Sequence, residues 1–475
     1  YKDFMPPGVL LPEIKIEKSQ YKDLGQEPDT SNYDFLRALC KKGVKEKGIL
    51  DKENKNEYFE RTKEELQILK ELGFIDYILL NWDILNFCHY SKIPTGPGRG
   101  SAAGSLVLYL IGVTKIDPVE NGLFFERFVS KSRAKKTIKD EITYLDGGLL
   151  ADIDNDIAYE HRGKVINYIE KKHPNRTAKI LTLNTLSGKL CIKECIKIVG
   201  DMDESEASVV SDMIPKNFGK VVPLFQAEKD SEEFKNWTES NKKIFNIARK
   251  IEGLNKNTGV HPSGIAISHQ EISKICPTQR NADGQLVTGY DMNWVAELMV
   301  KFDILGLRTL SVIDNTCNRV GIKAEDIDIH SGDIYNNLQD LREPHGLFQI
   351  EAETDFKVCR KIKPKNIEEL SAVLAIARPG ALEFLPHYER YVETGSFQSV
   401  HEFFDEVLGY TGGIPLYQEQ LMKMAVKVGF TLDESEQLRR IVGKKKVEKM
   451  KEWRVKISDK IKSQKLDPEI GDILW

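Results

Sequence analysis

Polar and apolar residues alternate along residues 151–157, and this is the most informative pattern in the chain. Asp152, Asp154 and Asp156 are separated from one another by single residues, with isoleucines among the positions between and after them. Side chains two residues apart on a strand point to the same face, so the three carboxylates share one face and the isoleucines lie on the other. The pattern predicts a half-buried strand that projects its acidic side chains into one place.

A second alternating segment, residues 299–307, predicts another strand. Lys301 and Asp303 fall on one face, and apolar residues fall on the other. In isolation this pattern describes an amphipathic strand with a surface salt pair. Beside an acidic strand, it also offers a third carboxylate with a cation next to it. Residues 258–268 are strand-like as well.

Helical spacing predicts most of the remaining elements. Residues 33–90 are mostly helical by pattern, and Gly73 is positioned to end one of these helices. Residues 184–258 and the chain from about 309 onward are also predicted to be helical. The last of these segments contains a cationic run, residues 438–446, which is either an anion site or a solvated face.

The segment before the acidic strand predicts a hairpin. Residues 139–145 have strand-like composition, and the two glycines in residues 146–148 favour a turn. We therefore expect the acidic strand to form the second arm of this hairpin, antiparallel to residues 139–145.

A glycine-rich run, Thr-Gly-Pro-Gly-Arg-Gly-Ser-Ala-Ala-Gly-Ser, occupies residues 95–105 and precedes an apolar stretch at residues 106–111. Such a run predicts a turn that leads into a helix whose first turn consists of small residues. Exposed backbone N–H groups and the helix dipole can bind a phosphate there, and small residues allow it to approach closely.

Other interpretations of this loop remain. It is not a Walker P-loop, because no Lys-Ser/Thr pair follows the last glycine. A relaxed dinucleotide-binding fingerprint fits Gly98, Gly100 and Ala103, but Pro94 and Pro97 disturb the strand that should precede it. A purely structural helix start is the third possibility.

The three carboxylates of residues 151–157 repel one another unless a cation lies between them, and a divalent metal is the simplest such cation. A calcium loop does not fit, because the sixth and twelfth positions from Asp152 are Ile157 and Gly163. A solvated acidic edge stays open as an alternative. Hard oxygen ligands select Mg²⁺ or Mn²⁺, and a pair of such ions serves in-line phosphoryl transfer. The glycine-rich loop some fifty residues earlier supports this interpretation.

Composition narrows the class of protein. The chain has 475 residues, of which 40% are hydrophobic and 30% charged, with a net charge of −4; these values predict a globular protein of two to four domains and exclude a uniformly basic DNA binder. Seven cysteines without a CxxC pair predict reduced thiols. We expect a cytoplasmic protein without a membrane span. The absence of an initiator Met also leads us to expect a fragment of a longer protein.

Taken together, these stretches resemble the bacterial replicative DNA polymerases of family C, the DNA polymerase III alpha subunits. The matching motifs follow the family order and cover nearly the whole chain. They are residues 96–105, Asp117-Pro118, Phe124-Phe125-Glu126-Arg127-Phe128, Asp152-Ile153-Asp154, residues 301–309, Arg378-Pro379-Gly380, Tyr417-Gln418-Glu419-Gln420, and residues 438–440 with 443–445.

The resemblance implies an α+β fold. It contains a polymerase beta-like nucleotidyltransferase palm with a mixed sheet, a helical thumb inserted into the palm, and helical, incomplete fingers. The implied domains are a first part of the palm at 1–183, the thumb at 184–258, a second part of the palm at 259–308, and the fingers at 309–475.

The resemblance also assigns a role to each acidic residue. Asp152, Asp154 and Asp303 match the catalytic, metal-binding carboxylates of the family, which hold two Mg²⁺ ions or Mn²⁺ in their place. Asp156 matches a third acidic position of the same motif and is expected to support the site rather than to bind metal.

Nucleotide binding is implied at five positions. Gly100 and Ser101 match the family's triphosphate loop, and Lys301 sits where the family has a lysine near the nucleotide. Arg439 and Arg440 match residues of the fingers that face the incoming triphosphate.

The implied function is template-directed DNA synthesis, in which deoxynucleotides are added to a primer 3′ end by two-metal-ion phosphoryl transfer. The alternatives are a template-independent nucleotidyltransferase and a non-enzymatic DNA-binding relative. The implied partners are primed template DNA, deoxynucleoside triphosphates and, in the full-length protein, a sliding clamp and other replisome subunits.

Ala151 replaces the family's usual proline after a longer connection at 131–150. We therefore expect a divergent member, with a phage origin and a bacterial host cytoplasm as one expectation.

Overall fold

The computed structural model describes residues 6–131, 136–147, 150–217, 220–443 and 447–475. The three lysines at 444–446 of the predicted cationic run lie outside the described residues. Contacts divide the chain into two compact units. The first contains Tyr1–Thr177, Ile267–Glu271 and Ala296–Trp475, and the second contains Ala178–Ala266 and Ile272–Val295.

The chain is a mixed α and β structure, with many helices and with both parallel and antiparallel strand pairs. The strands are β1 (Lys136–Lys139), β2 (Ile142–Leu145), β3 (Asp154–Ala158), β4 (Thr177–Thr185), β5 (Lys216–Asn217), β6 (Lys220–Val221), β7 (Asn255–Ile267), β8 (Thr278–Arg280), β9 (Leu286–Asp291) and β10 (Val300–Leu307).

The helices up to β10 are α1 (Lys18–Asp23), α2 (Asn32–Glu46), α3 (Lys55–Leu72), α4 (Ile75–Tyr90), α5 (Leu106–Leu110), α6 (Phe125–Phe128), α7 (Arg162–Lys172), α8 (Gly188–Val199), α9 (Glu204–Asp212), α10 (Leu224–Asp230), α11 (Glu232–Ser240), α12 (Lys242–Ile251) and α13 (Met292–Leu298).

The helices after β10 are α14 (Arg308–Val320), α15 (Gly332–Asp340), α16 (Glu353–Ile362), α17 (Ile367–Ile376), α18 (Leu385–Thr394), α19 (Asp405–Leu408), α20 (Gln418–Val428), α21 (Leu432–Gly443), α22 (Val447–Gln464) and α23 (Pro468–Leu474). The described residues beyond Arg308 contain helices and turns but no strand, as predicted. Across all the residues that the structure describes, each helix is either too short or too polar to cross a bilayer.

In the first unit, β3 and β10 form a parallel pair, and α4 packs behind them. Most of α4 is buried, which fits its largely apolar sequence. The Tyr77 ring lies 5.7 Å from the Phe302 ring of β10, and the Tyr77 hydroxyl donates a hydrogen bond to the Ala151 carbonyl just before β3. Gly73 ends α3 with a φ of 77°, as predicted. Strand β10 also confirms the strand predicted at 299–307.

The second unit has strands in the order β7-β4-β9-β8. Strands β4 and β9 are parallel, and β8 and β9 are antiparallel. Helices α8 to α12 enclose a hydrophobic core of their own, which includes Ile192, Leu224, Phe234 and Phe245. These helices confirm the mainly helical pattern predicted for residues 184–258.

The hairpin prediction was wrong about which segments pair, because the acidic strand is not the second arm. Strand β1 pairs antiparallel with β2, and the turn consists of Asp140 and Glu141, which both have left-handed backbone angles with φ of 50° and 66°. A two-residue turn of this kind closes a tight hairpin. Gly147 does not act as a turn residue, because a Cβ there would lie 1.8 Å from the Ala296 carbonyl oxygen. Close backbone packing therefore explains this glycine.

The acidic strand is shorter and more buried than the alternation predicts. It begins at Asp154, so Asp152 precedes it and is exposed, whereas Asp156 is 8% exposed. Residues 94–96 run along the edge of β3 that β10 does not occupy, with an antiparallel bridge between Thr95 and Ile157. The seven cysteines are all buried free thiols, as predicted.

Candidate active site

Two carboxylates face each other across neighbouring strands. In the register of β10 against β3, Asp303 is paired with Asp154, and neighbouring strands lie about 4.8 Å apart. Paired residues of a parallel sheet point to the same face, so the two side chains share one site. Asp152 lies among the exposed residues just before β3, near enough for its charge to act on Asp154. The structure thus places Asp154 and Asp303 side by side at one end of the β3–β10 pair, with Asp152 nearby.

Two cations lie among these carboxylates. The Lys301 ammonium donates a hydrogen bond of 2.6 Å to Asp303 Oδ2. The Arg99 guanidinium lies 3.8 Å from Asp154 Oδ2 and 3.6 Å from Asp156 Oδ1. Burial raises the pKa of Asp154; Arg99 and Lys301 lower this pKa, while Asp303 and Asp152 raise it further. The carboxylates therefore favour the binding of a further cation in addition to Lys301 and Arg99.

The donor set suits a hard divalent metal ion, because it consists of carboxylate oxygens. The oxygens of Asp152, Asp154 and Asp303, all described residues, do not all lie within 4.8 Å of one another. In this conformation Lys301 binds Asp303, so a single ion shared by all three carboxylates requires their side chains to rotate.

Another group of metal-ligating atoms lies elsewhere in the described residues, at His401, Asp467 and Glu469. His401 Nδ1 accepts a hydrogen bond from the Phe403 N–H. That bond places the proton of a neutral imidazole on Nε2, so neither nitrogen offers a free lone pair. This group is therefore poorly suited to hold a metal ion.

The glycine-rich loop lies directly beside the acidic strand. The Gly96 N–H donates to the Asp156 carbonyl at 2.8 Å, and a Cβ on Gly96 would lie 2.8 Å from Asp156 Cβ. Further along the loop, exposed Gly100 has a φ of 65°, and a Cβ there would lie 3.6 Å from Asp154 Oδ2. The loop therefore holds Gly100, and Ser101 after it, next to the carboxylates.

The N-terminus of the helix after the loop does not offer a phosphate site, which corrects the prediction made from sequence. The small residues at Ala102–Gly104 form a 3₁₀ turn, and α5 begins only at Leu106. Its first N–H groups, on Leu106 and Val107, donate to the buried Glu65 carboxylate at 3.0 Å each. The protein's own anion thus occupies this helix end. In contrast, the N–H groups of Gly100 and Ser101 find no acceptor among the described residues.

Comparison with known proteins identifies the family of the chain. A family model described as the bacterial DNA polymerase III alpha NTPase domain matches residues 34–306, more than half of the 475 residues. The chain belongs to the bacterial DNA polymerase III alpha family. A second model, the finger domain of the bacterial DNA polymerase III alpha subunit, matches residues 309–465.

Several curated DNA polymerase III alpha subunits are similar to this chain. The protein from Thermus aquaticus is 33% identical over 412 residues, which is 83% of this chain and 32% of that protein. The protein from Bacillus subtilis is 33% identical over 465 residues, 93% of this chain and 40% of that protein. The protein from Campylobacter jejuni is 31% identical over 489 aligned positions, 98% of this chain and 39% of that protein.

The chain thus spans between about a third and two fifths of the length of these relatives. All three relatives come from bacteria, so they give no support to the expected phage origin.

The part that matches the polymerase III finger domain contains Arg439 and Arg440 on α21. Arg439 forms two hydrogen bonds with the buried Glu436 carboxylate, at 2.6 and 2.7 Å, and a third with Gln418. Helix α21 is held beside α6 by a hydrogen bond from Ser130 to Asp433. The described contacts do not bring either arginine to the carboxylates of β3 and β10.

Three residues of the site had no role in the sequence predictions. Arg99 stands among the glycines of the loop and could have been suspected as the only cation there. Gly96 was part of the quoted motif, but its contact with Asp156 depends on how the chain folds. Glu65 gave no signal, because a glutamate within a charged helix is ordinarily solvent-exposed.

Proposed function

We propose that this chain carries the nucleotidyl-transfer centre of a template-directed DNA polymerase, which adds deoxynucleotides to a primer 3′ end. The proposal rests on the register that pairs Asp154 with Asp303 beside Gly100 of the glycine-rich loop. Carboxylate oxygens next to unpaired backbone N–H groups suit a triphosphate that arrives with its metal ion. Because the chain belongs to the DNA polymerase III alpha family, deoxynucleoside triphosphates are the expected substrates of this chemistry.

The carboxylates are the proposed metal ligands. Asp154 and Asp303 would hold Mg²⁺, or Mn²⁺ in its place, with Asp152 joining from the exposed residues before β3. When bound, a pair of such ions activates the primer hydroxyl and neutralises the leaving pyrophosphate. Lys301 would then release Asp303 and place its ammonium beside the nucleotide.

The loop and the fingers are the proposed nucleotide-binding groups. The N–H groups of Gly100 and Ser101 would donate to phosphate oxygens. Arg439 and Arg440 would add positive charge from α21, provided that Arg439 exchanges its bonds to Glu436 for bonds to phosphate. In this arrangement the protein orients the triphosphate for in-line attack.

The proposal includes the domain division expected from the resemblance. A polymerase beta-like palm comprises 1–183 and 259–308, the thumb comprises 184–258, and the fingers comprise 309–475. Primed template DNA and deoxynucleoside triphosphates are the proposed substrates in the bacterial cytoplasm. A sliding clamp and other replisome subunits are the proposed partners of the full-length protein.

Primer extension tests the proposal. Asp154→Asn and Asp303→Asn should each abolish Mg²⁺-dependent extension of a primed template, because asparagine keeps the shape of aspartate but lacks its charge. The assay should be run at low salt, which strengthens contacts with the DNA backbone. Asp140→Asn is the matched control: it makes the same charge change in the exposed hairpin turn, where asparagine tolerates the left-handed backbone. Extension at the wild-type rate by both site variants would refute the proposal.

A further inference from the structure

A groove between α2 and α3 combines an apolar floor with a rim of positive charge. It has a volume of about 780 Å³. Cys40 and Leu66 form the buried floor, while Leu50 and Phe59 are 45% and 38% exposed. Large apolar side chains that remain this accessible in a concave site are typical of a protein-binding surface.

The charges around the groove all have one sign. Arg37, Lys41, Lys45 and Lys63 line it, and no carboxylate does. Arg37 is paired with Asp34, but the described residues include no ion-pair partner for Lys41, Lys45 or Lys63. The rim is therefore electrostatically unbalanced, although the chain as a whole carries a net charge of −4.

The groove has the shape that accepts a helix. Its lining residues on α2 recur every three or four positions from residue 33 to residue 45, and those on α3 do so from residue 59 to residue 67. Two facing helix surfaces with this spacing form a channel into which a third helix can place its own i, i+4 and i+7 side chains. Leu50, in the connection between α2 and α3, also lines the groove.

We propose that this groove binds an amphipathic, acidic helix of a partner protein. Apolar side chains of that helix pack on Leu50, Phe59 and Leu66, and its carboxylates meet Lys41, Lys45 and Lys63 along the rim. A nucleic acid backbone would satisfy the lysines but would leave the aliphatic floor exposed to water, which favours the peptide. The proposal concerns a surface separate from the carboxylate site and does not depend on the proposed function.

The test uses a fluorescein-labelled synthetic peptide of 16 residues that has Leu and Phe at helical a and d positions, Glu along both flanks and Ala elsewhere. Binding to the full chain is measured by fluorescence anisotropy. We expect saturable binding that weakens with salt. A peptide with the same composition in scrambled order, and one with Lys in place of Glu, should each bind at least tenfold more weakly.

Variants of the protein locate the site. Lys45→Glu/Lys63→Glu should weaken peptide binding at least tenfold, and Phe59→Ser should weaken it severalfold. The matched control is Lys18→Glu/Lys242→Glu, which makes the same charge change at the first turns of α1 and α12, where glutamate is favoured. It should bind within twofold of the wild type, and the circular dichroism spectra should coincide for all variants.

Three results would overturn the proposal. They are absence of saturable binding of the acidic peptide, equal binding by the groove variants and the control, and equal binding of the peptide with Lys in place of Glu. Labelled oligothymidylate distinguishes the nucleic acid alternative. If Lys45→Glu/Lys63→Glu abolishes oligothymidylate binding and leaves peptide binding intact, the groove is a nucleic acid site.

Discussion

Asp154→Asn should have opposite effects on stability with and without Mg²⁺. The folded protein raises the pKa of Asp154, mainly through burial. A carboxyl group with a raised pKa stabilises the fold below its unfolded pKa and loses that contribution as the pH rises through its folded value. At pH 7 the ionised carboxylate therefore destabilises the folded protein. Asparagine, a neutral isostere, removes this destabilisation in the metal-free protein.

The register of the two strands sets the size of the effect. Two carboxylates about 5 Å apart repel by about 3 kcal/mol at an effective dielectric constant of about 20. The Lys301 bond to Asp303 and the nearby Arg99 offset much of this repulsion. We therefore expect the variant to be more stable than the wild type by about 1 kcal/mol in EDTA. A ligand that binds only the folded state stabilises it by about 2.7 kcal/mol at a hundred times its Kd, and the variant should lose most of this gain.

The assay is thermal unfolding of both proteins in EDTA and in a Mg²⁺ titration, with Asp140→Asn as the control. The thermal midpoint of Asp154→Asn should lie above that of the wild type in EDTA and below it at saturating Mg²⁺. The control should follow the wild type in both conditions. A variant that is less stable in EDTA, and that still gains the full Mg²⁺ shift, would show that Asp154 is a structural residue.

Two further changes test the surroundings of the site, and a third tests a buried histidine at the end of α7. Arg99→Gln removes a cation that competes with a metal ion at Asp154. The affinity of the protein for Mn²⁺, measured by electron paramagnetic resonance without nucleotide, should therefore rise about two- to tenfold. An unchanged affinity would show that Arg99 does not compete with the metal ion. Gly96→Ala places a Cβ against Asp156 and should cost about 1–3 kcal/mol in thermal unfolding; a neutral effect would mean that the loop moves freely. Burial lowers the pKa of His173 to about 4, so the wild type should lose about 1–3 kcal/mol as the pH falls from 6.5 toward 4. His173→Gln should make stability depend less on pH in this range. An equal pH dependence of the two proteins would refute the assignment of this loss to His173.

The sequence predicted the site through residues that are close along the chain. The alternation around Lys301 and Asp303 predicted a strand with both side chains on one face, and β10 has that arrangement. Gly73 was predicted to end a helix because a left-handed C-terminal glycine is a local property of the chain. Such features need no knowledge of what packs against them.

Features that depend on distant residues could not be predicted in this way. The pairing of Asp154 with Asp303 joins positions far apart in the chain, and the alternation within one strand does not specify its partner. For the same reason, the acidic strand was wrongly paired in a hairpin. The Glu65 carboxylate at the start of α5 was missed because only the packing of α3 against the loop brings it there. The burial of Asp156 likewise follows from the close approach of Gly96.

Template-directed synthesis by this chain is tested most directly by single-nucleotide incorporation on four primed templates that differ only at the first unpaired base. Each reaction contains the full chain, Mg²⁺ and all four deoxynucleoside triphosphates at low salt, and the added base is identified by mass spectrometry. Template-directed synthesis predicts that the added base is complementary to the template base in each case, and that Asp303→Asn adds none. Addition of the same base on all four templates, or addition to a primer without template, would contradict template-directed synthesis and indicate a template-independent nucleotidyltransferase.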